Sequence, residues 1–231
     1  MGRLTLEDVL AKIAVQLKFD FVINPKNTAL LLIDMQEFAG TSRLLEEAVE
    51  AGVPENDARE ALRDHEERVK AVLANSQRIL KACRKKGIIP IHVKVEALLR
   101  DARDTGRLYR AVGFHVPRGS KWAKIFDEVA PEDGEIVLTK THSSAFIGTH
   151  LDRILRNIGI ENLIVMGFNT DWCVEAAYQG GADYGYNCLL VEDACTSLTK
   201  KAHDTMIAKY RARQRPIKNT IEVLKMIEMC Q

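Results

Sequence analysis

Short apolar runs alternate along this chain with segments whose apolar residues recur every three or four positions. Runs of four to eight apolar residues suit strands buried on both faces, and the longer spacing suits amphipathic helices. Their alternation predicts βα units around a parallel sheet. Strands are predicted at Ala29 to Ile33, Ile88 to Val95, Glu135 to Thr139, Leu163 to Gly167 and Asn187 to Glu192, with a short sixth around Pro216 to Lys218. The turn residues Asn24-Pro25-Lys26-Asn27 introduce the first. Pro90 cannot donate to a ladder, so the second strand is predicted to be an edge strand or to carry a bulge there.

From Glu55 to Lys86 there is neither proline nor glycine, and Leu62, Val69, Val72, Leu73, Ile79, Leu80 and Cys83 repeat at helical spacing. One long helix is predicted, ended by Gly87 and long enough for its outer end to contact a second subunit. Leu6, Val9, Leu10, Ile13, Ala14 and Leu17 predict an N-terminal helix behind a Thr5-x-x-Asp8 capping box, with Leu4 set to staple on Val9. A second box, Thr149-x-x-Asp152, precedes Leu151, Ile154, Leu155 and Ile158. Further helices are predicted near Thr170, at Thr199 to Ala212 and at Thr220 to Met229. Glu96 to Gly119 is charged and aperiodic and reads as a variable loop region; Trp122, Ile125, Phe126 and Val129 predict a short helix after it. No repeat or linker intervenes, so residues 1–231 read as one domain, with 1–24 as a helical extension.

Charge narrows the function classes. Lys plus Arg number 33 against 32 Asp plus Glu, so no basic field exists to hold nucleic acid or a membrane surface. The longest apolar runs fall far short of the ~20 residues of a membrane span, and the start lacks the pattern of a signal peptide, which together predict a cytoplasmic protein. The five cysteines are an odd number, widely spread, with no Cys-x-x-Cys pair and no Cys/His cluster at zinc spacing. Neither a disulfide framework nor a metal site is expected, and Cys83 and Cys188 read as small core hydrophobes.

Three strand ends carry candidate chemistry: Asp34, Lys140 and Cys173. In an open parallel sheet the carboxyl ends of strands converge on one crevice. Cys173 follows Gly167 through Asn169-Thr170-Asp171-Trp172, which predicts a sulfur in the first turn of a helix, where the dipole lowers a thiol below its ordinary ~8.5. In such a trio Lys140 would hold Asp34 ionised, Asp34 would take the thiol proton, and sulfur would attack a carbonyl carbon. The N–H of Cys173 and of the turn before it would supply an oxyanion hole, each donor worth ~3 kcal/mol. Taken singly, Asp34 reads more readily as a helix cap or turn former and Lys140 as a solvated lysine, while Cys173 reads equally as a buried filler.

Four blocks of this chain resemble the isochorismatase-like cysteine hydrolase superfamily. They are Leu31-Leu32-Ile33-Asp34-Met35-Gln36, then Lys140-x-x-x-Ser144-Ala145-Phe146-x-x-Thr149-x-Leu151-x-x-x-Leu155, then Gly167-x-x-Thr170-Asp171-x-Cys173-Val174, and Gly185-Tyr186 with Val191-Glu192-Asp193-Ala194-Cys195. The resemblance runs from about Thr28 to about Ala202. It implies an α/β, doubly wound, Rossmann-like domain with a six-stranded, mostly parallel sheet and helices on both faces. It implies Asp34 as general base, Lys140 as charge stabiliser, Cys173 as nucleophile, and a cis bond at Phe168-Asn169 that aims the Asn169 N–H into the oxyanion hole.

The metal-binding nicotinamidase branch has an Asp-x-His cluster after the second strand. His92 stands here in Ile91-His92-Val93-Lys94 without one, so no metal or other cofactor is expected. Vinyl-ether-cleaving isochorismatases typically lack the cysteine. The expectation is therefore a homodimeric or homotetrameric amidohydrolase acting on a small linear amide, carbamoyl or ureido compound, as in the N-carbamoylsarcosine amidase and biuret hydrolase branch. Gln36, Phe38, Trp122, Phe146, Asn169 and Trp172 are expected pocket liners by adjacency to the motifs. An isochorismatase-type vinyl ether hydrolase and a non-catalytic binding module on the same fold are the alternatives.

Overall fold

The computed structural model describes residues 4–13 and 21–230. Six strands, β1 (Thr28–Ile33), β2 (Ile89–Val95), β3 (Ile136–Lys140), β4 (Asn162–Phe168), β5 (Asn187–Thr196) and β6 (Ile217–Lys218), form one sheet. Their order is β3-β2-β1-β4-β5-β6 and every neighbouring pair is parallel. The helices are α1 (Leu6–Ile13), α2 (Thr41–Glu50), α3 (Glu55–Lys86), α4 (Arg107–Ala111), α5 (Leu151–Asn157), α6 (Glu175–Asp183), α7 (Lys200–Ala212) and α8 (Thr220–Met229). This is the doubly wound α/β arrangement. The chain winds outward from β1 to β3, then crosses to β4 and winds the other way, which leaves a crevice between β1 and β4.

Every residue of β1 and β4 is buried, as two-sided apolar runs demand, and each fully buried Leu, Ile or Val contributes about 1.5 to 3 kcal/mol. The two strands pair from Thr28 with Asn162 to Ile33 with Gly167. At that last pair a side chain is impossible: Gly167 has φ of 134°, and a Cβ there would lie 2.0 Å from the Ile33 carbonyl oxygen.

β2 is an interior strand, not an edge. At Pro90 only β1 lies alongside, because pairing with β3 begins at Ile91, so the missing N–H interrupts no second ladder. The sheet's irregularity lies instead in β5, where Val165 pairs with Leu190 but Gly167 pairs with Cys195. The extra residues let β5 run on to Thr196 and turn Asp193 outward, where its Oδ1 accepts from Thr220 N and Oγ1 at 2.7 Å each and holds the start of α8.

α3 buries Val69, Val72, Leu73, Ile79, Leu80 and Cys83 against the sheet and stops at Gly87 in the left-handed region, φ 75°. The Thr5–Asp8 box forms, but Leu4 and Val9 are both exposed, so no staple is buried there; Ala14 and Leu17 lie outside the described residues. The second box does not form. Thr149 Oγ1 donates to Ala145 O, Asp152 accepts from the Tyr186 hydroxyl, and α5 starts after His150. The helix predicted at 122–129 is split into two 3-10 turns, because Ile125 bridges to Gln36 and the Phe126 N–H donates to Met35 O. Within 96–119 the chain forms α4. No helix among the described residues is long and apolar enough to cross a membrane.

Candidate active site

Asp34, Lys140 and Cys173 meet at the carboxyl ends of the strands. Asp34 directly follows β1, its N–H donating to Val93 O at 2.7 Å. Its φ of 50° is uncommon for a residue with a side chain, and such strained positions concentrate where a side chain must be aimed. Lys140 is the last residue of β3, paired with Val95 of β2, so one strand separates it from β1. Two inter-strand spacings are about 10 Å, and a lysine stem has the length to cover most of that distance. Cys173 lies in a single π turn, Thr170–Val174, between β4 and α6.

Lys140 Nζ lies 2.9 Å from Asp34 Oδ2, 2.9 Å from the His142 carbonyl oxygen, 3.2 Å from Tyr109 Oη and 3.4 Å from Cys173 Sγ. Tyr109 Oη in turn lies 3.0 Å from Cys173 Sγ. Asp34 Oδ1 is buried without a hydrogen-bond partner among the described residues. It is thus free to accept the thiol proton.

Burial, the largest influence, raises Asp34 above its ordinary value despite Lys140. Burial also works against the Lys140 ammonium, but Asp34 and Cys173 outweigh it and Lys140 titrates high. The thiol behaves opposite to the expectation from helix position. Burial, with the Asp34 carboxylate, pushes Cys173 up to about 12, against the pull of Lys140. Burial thus favours the protonated sulfur, and the chemistry calls for a base beside it to remove the proton.

Asp34 and Cys173 open on a narrow cleft with about 390 Å³ of empty space counted out to solvent. Phe38, Asn169 and Trp172 line it as expected, and the Phe168–Asn169 peptide is cis. Three other expected liners lie elsewhere. Gln36 spends its amide inward, donating to Val95 O and Trp122 O and accepting from the Val95 N–H, which ties the strand ends together. Trp122 lies under the Lys121 ammonium, 4.3 Å away. Phe146 stacks on Tyr184 and Tyr186 beneath α6, where Gly180 and Gly181 make room for it.

Sequence reasoning missed Tyr109, Phe114 and Arg43. Phe114 packs between Phe38 and Trp172, with centroids 5.1 and 5.0 Å away, and Arg43 stands over Phe38 at the cleft wall. The only signal was two aromatic residues in a charged stretch, and a residue five positions past Phe38.

His92 faces away from this chemistry. Its Nε2 lies 3.0 Å from Glu135 Oε2 and its Nδ1 has no hydrogen-bond partner among the described residues. No group of three or more His, Cys, Asp or Glu able to hold a metal occurs among the described residues.

Residues 28–222 match the Isochorismatase domain family. Over 127 residues the chain is 33% identical to N-carbamoylsarcosine amidase of Arthrobacter sp, covering 53% of this chain and 48% of that one. Over 71 residues it is 41% identical to ureidoacrylate amidohydrolase RutB of Klebsiella pneumoniae, covering 31% of this chain and 30% of the relative. The matched segments thus span less than half the length of either relative. In fold the chain resembles the crystal structure of a cysteine hydrolase from Pseudomonas syringae, with a TM-score of 0.72 at 23% identity, covering 90% of this chain and 95% of the other. With its sheet order, strand-end residues and matched span all in agreement, the chain belongs to the isochorismatase family, within the isochorismatase-like cysteine hydrolase superfamily.

Proposed function

We propose that this protein hydrolyses a C–N bond of a small amide, carbamoyl or ureido compound through a thioester on Cys173. The observation that carries the reading is the buried contact of a carboxylate, an ammonium and a thiol in one cleft. The relatives named as an amidase and an amidohydrolase support it.

In this reading Asp34 takes the thiol proton and sulfur attacks the carbonyl carbon. The oxyanion is received by the N–H groups of Asn169 and Cys173, each donor worth about 3 kcal/mol. Collapse breaks the C–N bond, and Asp34 returns its proton to the leaving ammonia or amine. A water molecule, deprotonated by Asp34, then attacks the thioester, releases the acid and restores the thiol. Phe38, Phe114 and Trp172 exclude bulk water and favour a small, partly apolar substrate.

Cys173→Ala and Cys173→Ser, assayed for ammonia release on a panel of small amides and carbamoyl compounds, are expected to lose at least about a thousandfold in kcat. Undiminished turnover would remove the covalent route. A second reading draws on the upward shift that burial gives Asp34, which favours a carboxylic acid able to give its proton to an enol ether. Under that reading Asp34→Asn abolishes turnover while Cys173→Ala leaves it intact.

A further inference from the structure

Tyr109 reaches the site from α4, part of the segment that looks like a loop in the sequence. Tyr109 is 1% exposed and held edge-on by Phe114 and Trp172, at centroid distances of 5.4 and 6.4 Å, so its hydroxyl is buried inside the site. Oη lies 3.0 Å from Cys173 Sγ and 3.2 Å from Lys140 Nζ. A lysine ammonium has only protons to give. Tyr109 Oη must therefore accept from Lys140, and its own proton is left for the sulfur.

The placement of α4 is specific. The Gly106 N–H donates to Thr141 O, and a Cβ at Gly106 would lie 2.8 Å from that same oxygen. The start of α4 is thereby pressed against the residue after Lys140, so the hydroxyl and the ammonium are located from one anchor.

We propose that Tyr109 is a fourth catalytic residue, whose hydroxyl donates to the Cys173 sulfur and holds the thiolate formed when Asp34 takes its proton; this role rests on the thioester reading above. A thiolate in this cleft has few partners. Asp34 on the end of β1 is neutral once it has taken the proton, Arg43 of α2 stands at the cleft wall already engaged with Glu47, and His142 contributes only a carbonyl to Lys140. Among the described residues, Lys140 at 3.4 Å and Tyr109 at 3.0 Å stand within hydrogen-bond reach of the sulfur as donors. Burial and the neighbouring sulfur and carboxylate hold the phenol far above its ordinary value, so it remains a donor at any working pH.

The test is Tyr109→Phe, which keeps the ring and removes the hydroxyl. Iodoacetamide labelling of Cys173, followed by mass spectrometry without substrate between pH 7 and 10, should be about tenfold slower at each pH, and kcat should fall about tenfold to a hundredfold with KM little changed. The sign is decisive, because a tyrosine that only fills space keeps its ring in this variant, and losing the hydroxyl alone would leave labelling unchanged or slightly faster. Unchanged or faster labelling overturns the proposal. Cys83, fully buried and outside the clefts, reports the fold in the same experiment, since it labels only if the variant unfolds. Should Y109F unfold, replacing the tyrosines with 3-fluorotyrosine strengthens the same donor and must speed labelling, and no change then overturns the role. Turnover surviving in Cys173→Ala fells the thioester reading and this role together. An inactive Cys173→Ala beside a Y109F that labels at the parental rate fells the role of Tyr109 alone.

Discussion

Lys140 has three protons and faces four acceptors: Asp34, the His142 carbonyl, Tyr109 and Cys173. Its side chain is fully buried and that of Asp34 is 5% exposed, so the two charges depend on each other. Removing one member of a buried pair leaves an uncompensated charge, a cost of about 3 to 5 kcal/mol, whereas replacing both can be close to neutral. Lys140→Met is therefore expected to lose about 3 to 5 kcal/mol in urea unfolding, and the double variant Asp34→Asn/Lys140→Met to recover most of it. Additive losses would show that the pair is not coupled. The three residue types were legible in the sequence because Asp34 and Lys140 directly follow predicted strands and Cys173 stands in the turn after one. That the thiol is pushed up was not, because burial is a property of the folded surroundings and outweighs helix position.

At the scale of elements, β3 is held to α3 by a charge cluster at its start. Glu135 accepts from Arg84 Nε and Nη2 at 2.8 Å each and lies 3.0 Å from His92 Nε2. Burial opposes the Glu135 carboxylate, but Arg84, the Glu132 N–H and His92 outweigh it and hold the group at about 2 instead of 4.5. A depressed acid contributes stability that is present above its unfolded value and is lost as pH falls through its folded one. Glu135→Gln should therefore cost about 3 kcal/mol at pH 7, a gap that narrows to about half by pH 3. Urea midpoints at the two pH values measure it, and a gap that widens on acidification would refute the assignment. Long periodic elements such as α3 were read correctly from spacing alone. The short ones were not: α4 and the two 3-10 turns exist because Gly106 and Ile125 find partners remote in sequence, at Thr141 and Gln36.

For the molecule as a whole, the site exists because the winding reverses between β1 and β4, and the two strands come together at Ile33 and Gly167. No side chain fits at Gly167, and its φ of 134° is open only to glycine. Gly167→Ala would force the two central strands apart immediately beneath Asp34 and Cys173. A loss of more than about 4 kcal/mol is expected, seen as failure to give soluble folded protein or a collapse of the melting temperature. A variant that melts within a few degrees of the parent would show that the strands can separate without penalty.

By itself, the sequence determined the βα order, the parallel sheet, the long helix and the strand-end trio, because hydrophobic period and strand termini are local properties. Only the tertiary structure decided that β2 is interior, that Gln36 and Phe146 serve packing rather than the cleft, and that Tyr109 lies against the sulfur. Those outcomes depend on which surfaces meet. Contacts between residues far apart in the chain, such as Tyr109 and Cys173, leave no periodic trace along it.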